Sequence, residues 1–186
     1  MISGGAGGAN TQTGAVFEGK TDLITFLKTL DGYECNINPL SKGKSEWYDI
    51  SFDGKYVASS FKKNALYIYL DSIGVDYSKI LSKKLLPDDA IYVIMNNTIF
   101  IIEVKFQKVA GSVDEKLQTC GFKLSQYKRL FAQLNFDVEY IYILNDWFKH
   151  DSYKDVLDYI IHSKCGYYFN YLPLKRIGLP VPSLDK

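Results

Sequence analysis

The 186-residue sequence lacks the features that mark several common classes of protein. Its three cysteines are scattered and odd in number, so a disulfide framework is not expected. Its two histidines are dispersed and form no pair of nucleophile and base, which argues against a metal-independent hydrolase. No stretch approaches the ~18 consecutive apolar residues of a membrane span, and the N-terminus lacks the basic and apolar regions of a signal peptide. We therefore expect a cytoplasmic protein with no membrane partner.

An excess of charge of either sign is also absent. Lysine and arginine number 22 against 21 aspartates and glutamates, which gives a net charge of +1. A protein that holds nucleic acid by charge alone needs a surplus of cations, so this class is disfavoured, although a local basic face is compatible with the balance. Hydrophobic residues make up 47% of the chain, which is enough for a packed core. Length and composition together predict a single domain over residues 1–186.

The first third of the chain gives few regular patterns. Residues 1–14 are rich in Gly, Ala, Asn and Thr and predict a flexible leader, without the Gly-Lys-Ser/Thr sequence of a phosphate-binding loop. Apolar residues at helical spacing then predict a helix over 14–30, which Gly32 ends. The shorter elements predicted farther on are strands at Trp47–Phe52 and Tyr56–Ser60 and either a helix or a strand at Asn64–Ile73.

Two apolar runs after Pro87, Ala90–Met95 and Thr98–Phe106, predict a β-hairpin. Asn96-Asn97 joins them, and asparagine tolerates the positive φ of a two-residue turn. The elements predicted next are a helix at Asp114–Leu134, a strand at Val138–Leu144, a helix at Tyr153–His162 and a strand at Gly166–Tyr171. This order predicts an α/β fold, with a mixed central β-sheet flanked by helices.

Charged residues lie just before the first strand of this hairpin and near the end of the second, and so at the same edge. Glu103 and Lys105 share one face, because side chains alternate across a strand. A two-residue turn at Asn96-Asn97 sets Asp88 opposite Lys105 on the neighbouring strand. We therefore expect Asp88, Glu103 and Lys105 to converge on one face, while Asp89 points to the other.

Two carboxylates beside a lysine suit metal-assisted hydrolysis of a phosphodiester bond. Mg²⁺ prefers one or two carboxylates together with waters and phosphate oxygens, so Asp88 and Glu103 are predicted ligands, with the main-chain carbonyl of Val104 as a further one. Lys105 would orient the attacking water and stabilise the negative charge that develops. The alternative is a cross-strand salt bridge between Asp88 and Lys105 that has no catalytic role.

Pro87-Asp88 followed by Glu103-Val104-Lys105 resembles the motif of the PD-(D/E)xK nuclease superfamily. Residues 87–92 are similar to the cleavage domains of type IIS restriction endonucleases. Residues 7–18 resemble the leader and first helix of restriction endonucleases in this superfamily, and residues 111–119 resemble the segment after their catalytic strand. The resemblance implies a restriction-endonuclease-like fold, a Mg²⁺ cofactor and double-stranded DNA as substrate. In length the chain looks most like the small catalytic subunit of a heterodimeric type IIS enzyme. There a large subunit recognises the site and nicks one strand, and the small subunit cuts the other.

The resemblance also implies roles for two more acids. Glu18 matches the acid of the first helix that completes or supports the metal site, and Glu115 corresponds to an acid that supports the site or positions water. Either could instead be an ordinary acid in the first turn of a helix. Lys83-Lys84, close before Pro87, is the first of several lysine groups to test for phosphate contacts, although most of these groups are expected to be solvated. The others are Lys42 and Lys44, Lys62-Lys63, Lys123 with Lys128-Arg129, and Lys175-Arg176.

The sequence also admits two rival functions. A structure-directed nuclease of the same superfamily, similar to a junction resolvase, would act as a homodimer on branched DNA. A non-catalytic nucleic-acid-binding or assembly module would use the two acids and the lysine only as a salt-bridge cluster. Such a module would show no dependence on metal.

Overall fold

The computed structural model describes residues 14–16, 22–108 and 113–182, so most of the predicted leader lies outside the described residues. The strands are β1 (Gly14–Val16), β2 (Tyr33–Ile37), β3 (Trp47–Phe52), β4 (Lys55–Phe61), β5 (Asp89–Val93), β6 (Thr98–Lys105), β7 (Asp137–Leu144), β8 (Gly166–Phe169) and β9 (Tyr171–Pro173). The helices are α1 (Leu23–Leu27), α2 (Ala65–Ser72), α3 (Val113–Leu117), α4 (Cys120–Phe131) and α5 (Lys154–His162). Short 3₁₀ turns join several of these elements.

Seven of the described strands form one sheet, in the order β2-β3-β4-β5-β6-β7-β8, and β1 pairs separately with β9. Neighbouring strands from β2 to β6 are antiparallel, whereas β6, β7 and β8 run parallel to one another. The predicted α/β class, with a mixed sheet flanked by helices, is therefore confirmed.

Apolar side chains cover both faces of the sheet. On one face α2, α4 and α5 pack on alternate residues of β6 and β7, such as Ile99, Ile101 and Tyr140. On the other face α1 and the C-terminal segment around Leu174 pack on the intervening residues, such as Phe100. Because β6 is buried on both faces, its sequence is a continuous apolar run rather than an alternating one. Among the described residues, no helix has the length and apolar character needed to cross a membrane.

The predicted helix over 14–30 is wrong in its first part. Gly14–Val16 forms strand β1 instead, and it pairs antiparallel with β9 near the far end of the chain. Helix α1 begins only where the Asp22 side chain accepts the Thr25 N–H at 2.8 Å and caps it. The spacing of apolar residues suits a helix, but the pairing with a distant strand decides the local structure.

Most of the remaining predicted elements are confirmed. Strands β3, β4, β7 and β8 and helix α5 lie where the sequence predicts them, and Asn64–Ile73 is helical as α2. The long helix predicted over 114–134 is interrupted between α3 and α4. There the Thr119 hydroxyl donates to the Lys116 carbonyl at 2.7 Å, a local bond that competes with the helical ladder.

The hairpin of β5 and β6 forms, but the predicted register is wrong by two residues. Val93 pairs with Thr98, so four residues make the turn rather than two. The Ile94 N–H donates to β4 and the Ile94 carbonyl accepts the N–H of Asn97, which has a φ of +49°. The turn therefore comprises residues 94–97, and in the strand register Asp88 is not opposite Lys105 as predicted.

Candidate active site

The ends of β5 and β6 carry the three candidate residues. Glu103 and Lys105 follow Ile99 and Ile101 on the face covered by α4. Glu103 is buried, with 8% of its side chain exposed, and Lys105 is half-buried at 20%. Asp88 lies directly before β5 and is 52% exposed. The observed register continues to Asp88 opposite Glu103, and because the shift of two residues is even, all three side chains share one face.

The Lys105 ammonium is the centre of this group. Its Nζ lies 2.8 Å from Glu103 Oε2, 3.2 Å from Asp88 Oδ2 and 3.4 Å from the Val104 carbonyl oxygen. Asp88 Oδ2 also accepts the Val104 main-chain N–H at 3.1 Å, which fixes that carboxylate against the end of β6. The structure thus brings together Asp88, Glu103, Val104 and Lys105 at one point.

A second lysine, Lys123 of α4, reaches the same buried carboxylate. Its Nζ lies 3.0 Å from Glu103 Oε1, so each oxygen of Glu103 has its own ammonium partner. The sequence placed Lys123 among the lysine groups expected to be mostly solvated. One signal was present: Lys123 shares a helical stripe with Tyr127 and Leu130, which are both buried.

Burial and charge act in opposite directions on these groups. Burial favours a higher Glu103 pKa, but Lys105 and Lys123 outweigh it and hold the pKa below its ordinary value. Burial favours a lower Lys105 pKa, but Glu103 and Asp88 outweigh it and raise the pKa. At neutral pH Glu103 is therefore ionised and Lys105 is protonated. The two carboxylates and two ammonium groups together carry no net charge.

Two tyrosines hold the segment that leads to Asp88. The Leu85 N–H donates to the Tyr67 hydroxyl at 2.8 Å, and the Leu85 carbonyl accepts from the same hydroxyl at 2.9 Å. Tyr127 of α4 donates to that carbonyl at 3.3 Å. Helices α2 and α4 thus set the position of Asp88 relative to the end of β6.

The oxygen atoms of this group fit a divalent cation in kind. Asp88 Oδ2, Glu103 Oε2 and the Val104 carbonyl already converge on one cationic atom, Lys105 Nζ, each within 3.4 Å. These are the donors that Mg²⁺ takes in proteins, with water and phosphate oxygens in its remaining positions. In the part of the chain that is described, no group of three or more His, Cys, Asp or Glu side chains could hold a metal ion. The ligands available to a metal ion here are therefore two carboxylates and one main-chain carbonyl.

Of the two other acids implicated by the resemblance, the structure describes only Glu115, and Glu115 is not in this group. Glu115 lies in α3 with an exposed side chain, and it forms no hydrogen bond or ion pair with the described residues. Glu18 lies outside the described residues. The candidate site therefore consists of the residues at the ends of β5 and β6, together with Lys123.

The acid next to Asp88 points to the opposite face of the sheet. Asp89 is 5% exposed, and its Oδ1 has no hydrogen-bond partner among the described residues. Burial raises the Asp89 pKa to about 7, and the nearby Lys62 opposes this only in part. Lys62 itself lies 2.9 Å from Asp22 and 3.3 Å from Glu46. Asp89 therefore belongs to a separate charged cluster behind the candidate site.

The chain matches no protein-family model, no curated protein and no solved structure with which it was compared. The resemblance to a nuclease superfamily thus depends on the motif residues alone.

Proposed function

We propose that this protein is a Mg²⁺-dependent endodeoxyribonuclease with a restriction-endonuclease-like fold, which hydrolyses a phosphodiester bond in one strand of duplex DNA. The observation that carries the proposal is the meeting of Asp88, Glu103 and the Val104 carbonyl on Lys105 Nζ. Burying a carboxylate between two ammonium groups is costly, and a salt bridge that served only stability would seldom need it. The arrangement is better explained by chemistry at the end of the hairpin.

Each residue of the group has a role in such a reaction. Asp88, Glu103 and the Val104 carbonyl would hold the metal, which lowers the pKa of a bound water and neutralises charge on the scissile phosphate. Lys105 would orient the attacking water and stabilise the negative charge that develops on the phosphate. Lys123 would hold the Glu103 carboxylate in its orientation toward Asp88. The exposed half of the Asp88 side chain leaves the group accessible to a DNA strand.

We further propose a large, site-recognising subunit as the partner, in a heterodimer in which each subunit cuts one strand. A net charge of +1 supports this, because a chain with so little excess of cations binds DNA weakly by itself. The resemblance to small catalytic subunits of type IIS enzymes points in the same direction. A homodimer that cuts branched DNA unaided would contradict the heterodimer and leave the hydrolytic site in place.

The proposal is tested by nicking of supercoiled plasmid, with and without Mg²⁺ and a candidate recognition subunit. Lys105→Met removes the ammonium and keeps a long side chain, so we expect it to slow nicking by about 100-fold or more. Lys55→Met changes an exposed lysine of β4 and serves as the matched control, with cutting expected at the wild-type rate. Equal cutting by Lys105→Met and wild type, or cutting in the absence of metal, would contradict the proposed chemistry.

A further inference from the structure

Four lysines among the described residues are half-buried, and one of them differs from the others. Lys62, Lys105 and Lys123 each lie within 3.0 Å of a carboxylate oxygen. Lys84 contacts no carboxylate among the described residues; its hydrogen bond goes to the neutral amide of Asn64. Partial burial of an ammonium group without an opposite charge is unfavourable, so this position needs another explanation.

The Lys84 ammonium is nevertheless held in one place. Its Nζ donates to Asn64 Oδ1 at 2.8 Å and lies 4.8 Å from the ring centre of Tyr77 and 5.0 Å from that of Tyr67. The two rings pack edge to face, with their centres 5.0 Å apart. Contacts of this kind fix the ammonium while leaving its full positive charge. A cation that is already immobilised loses little side-chain entropy when it binds an anion.

Lys84 is also tied to the candidate active site. Asp88 lies four positions farther along the chain, which limits the distance between their Cα atoms to about 14 Å. Asn64, its hydrogen-bond partner, directly precedes α2, and Tyr67 of that helix binds the main chain of Leu85. The contacts that hold the ammonium therefore also hold the segment that leads to Asp88.

Lys84 lines an open cavity of about 350 Å³. The other charged residues that line the cavity are Lys42, Asp71 and Asp76. The two aspartates disfavour an anion that fills the whole cavity. An extended polyanion that places a single phosphate at Lys84 does not have to fill it.

We propose that Lys84 binds a backbone phosphate of the DNA strand that enters the candidate active site, on one side of the scissile bond. This inference rests on the proposed nuclease function, which supplies the polyanion. Phosphates follow one another at about 3.4 Å along the axis for each strand, so one within about four nucleotides of the scissile phosphate lies within reach of Lys84. The phosphate and the ammonium would form a charge-assisted hydrogen bond.

The test measures binding of a labelled DNA duplex by fluorescence anisotropy over a range of NaCl concentrations. EDTA is present, so that the duplex stays uncut. Lys84→Gln is expected to weaken binding at low salt by about three- to tenfold and to reduce the slope of log K against log salt by about 0.9, the loss of one phosphate contact. Lys84→Arg keeps the charge and Lys83→Gln changes the exposed neighbour, so both are expected to bind as wild type does.

The outcomes separate this inference from the proposed function. Thermal unfolding checks that the variants are folded, and Lys84→Met replaces Lys84→Gln if the latter unfolds. If Lys84→Gln and Lys83→Gln show equal affinity and equal salt slope, the inference is overturned. A wild-type chain that binds no duplex at low salt would also overturn it. If binding depends on Lys84 but the protein fails to cut in the nicking assay, the nuclease function is contradicted and the phosphate contact is not.

Discussion

Replacing Asp89 by asparagine should stabilise this protein at neutral pH. The carboxyl is 5% exposed, and its Oδ1 has no hydrogen-bond partner among the described residues. Burial is the largest influence on its pKa, which rises to about 7 from an ordinary value of 3.8. Of the charged groups nearby, Lys62 favours the ionised form, and Asp22, Asp88 and Glu46 disfavour it. Asparagine has a similar shape and no charge to bury.

The direction of this pKa shift gives the sign of the effect. Below pH about 4 the Asp89 carboxyl is protonated in the folded and the unfolded state, so the stability of the neutral form is fully present. Between pH about 4 and pH about 7 the unfolded state loses its proton first, so stability falls as the pH rises. Above pH about 7 the loss is complete. A shift of about 3 pKa units corresponds to about 4 kcal/mol, which is the upper limit of the effect.

Urea unfolding at pH 5 and pH 8 measures this contribution. We expect the gain in free energy of unfolding from Asp89→Asn to be greater at pH 8 than at pH 5 by about 2–3 kcal/mol. Asp31→Asn changes an exposed carboxylate and is the matched control, for which we expect no such difference. A gain that is the same at both pH values, or a variant that is less stable than wild type at pH 8, would refute the reasoning.

Two other substitutions test particular contacts. Lys123→Met leaves Glu103 Oε1 buried without its partner and should lower the free energy of unfolding by about 1–3 kcal/mol, whereas Lys128→Met, on the exposed side of α4, should be neutral. Equal stability of these two variants in urea would mean that the contact with Glu103 contributes nothing. Gly32→Ala should cost more than about 1 kcal/mol, because Gly32 has a φ of +82° and a Cβ there would lie 2.7 Å from Asp53 Oδ1. An unchanged melting temperature would show that this turn relaxes without cost.

The parts of the fold with regular patterns could be predicted from the sequence. Strands β6 and β7 contain the apolar runs 99–102 and 140–144 because helices and the C-terminal segment cover both faces of the sheet. The grouping of Asp88 with Glu103 and Lys105 was predicted from a hairpin turn of the wrong length, since a register error of two residues leaves each side chain on its own face. An error of one residue would have put Asp89 in the site instead.

Features that depend on distant contacts could not be predicted. Val16 continues the helical spacing of the leucines that follow it, yet the pairing of Gly14–Val16 with β9 makes this segment a strand. Lys123 reaches Glu103 only because the face of α4 that bears it packs against the end of β6, and that contact depends on the tertiary packing. Asn96-Asn97 suits a two-residue turn, but the hydrogen bond of Ile94 with β4 widens that turn to four residues.

The central claim is that the face of the sheet bearing Asp88 carries out the hydrolysis. The most direct measurement compares Asp88→Asn with Asp89→Asn, two neighbouring acids on opposite faces, by the cutting rate of a strand-labelled duplex with Mg²⁺ and a candidate recognition subunit. We expect Asp88→Asn to slow the cutting by about 100-fold or more and Asp89→Asn to cut within a few-fold of wild type. Cutting retained by Asp88→Asn, or lost equally in both variants, would contradict the account.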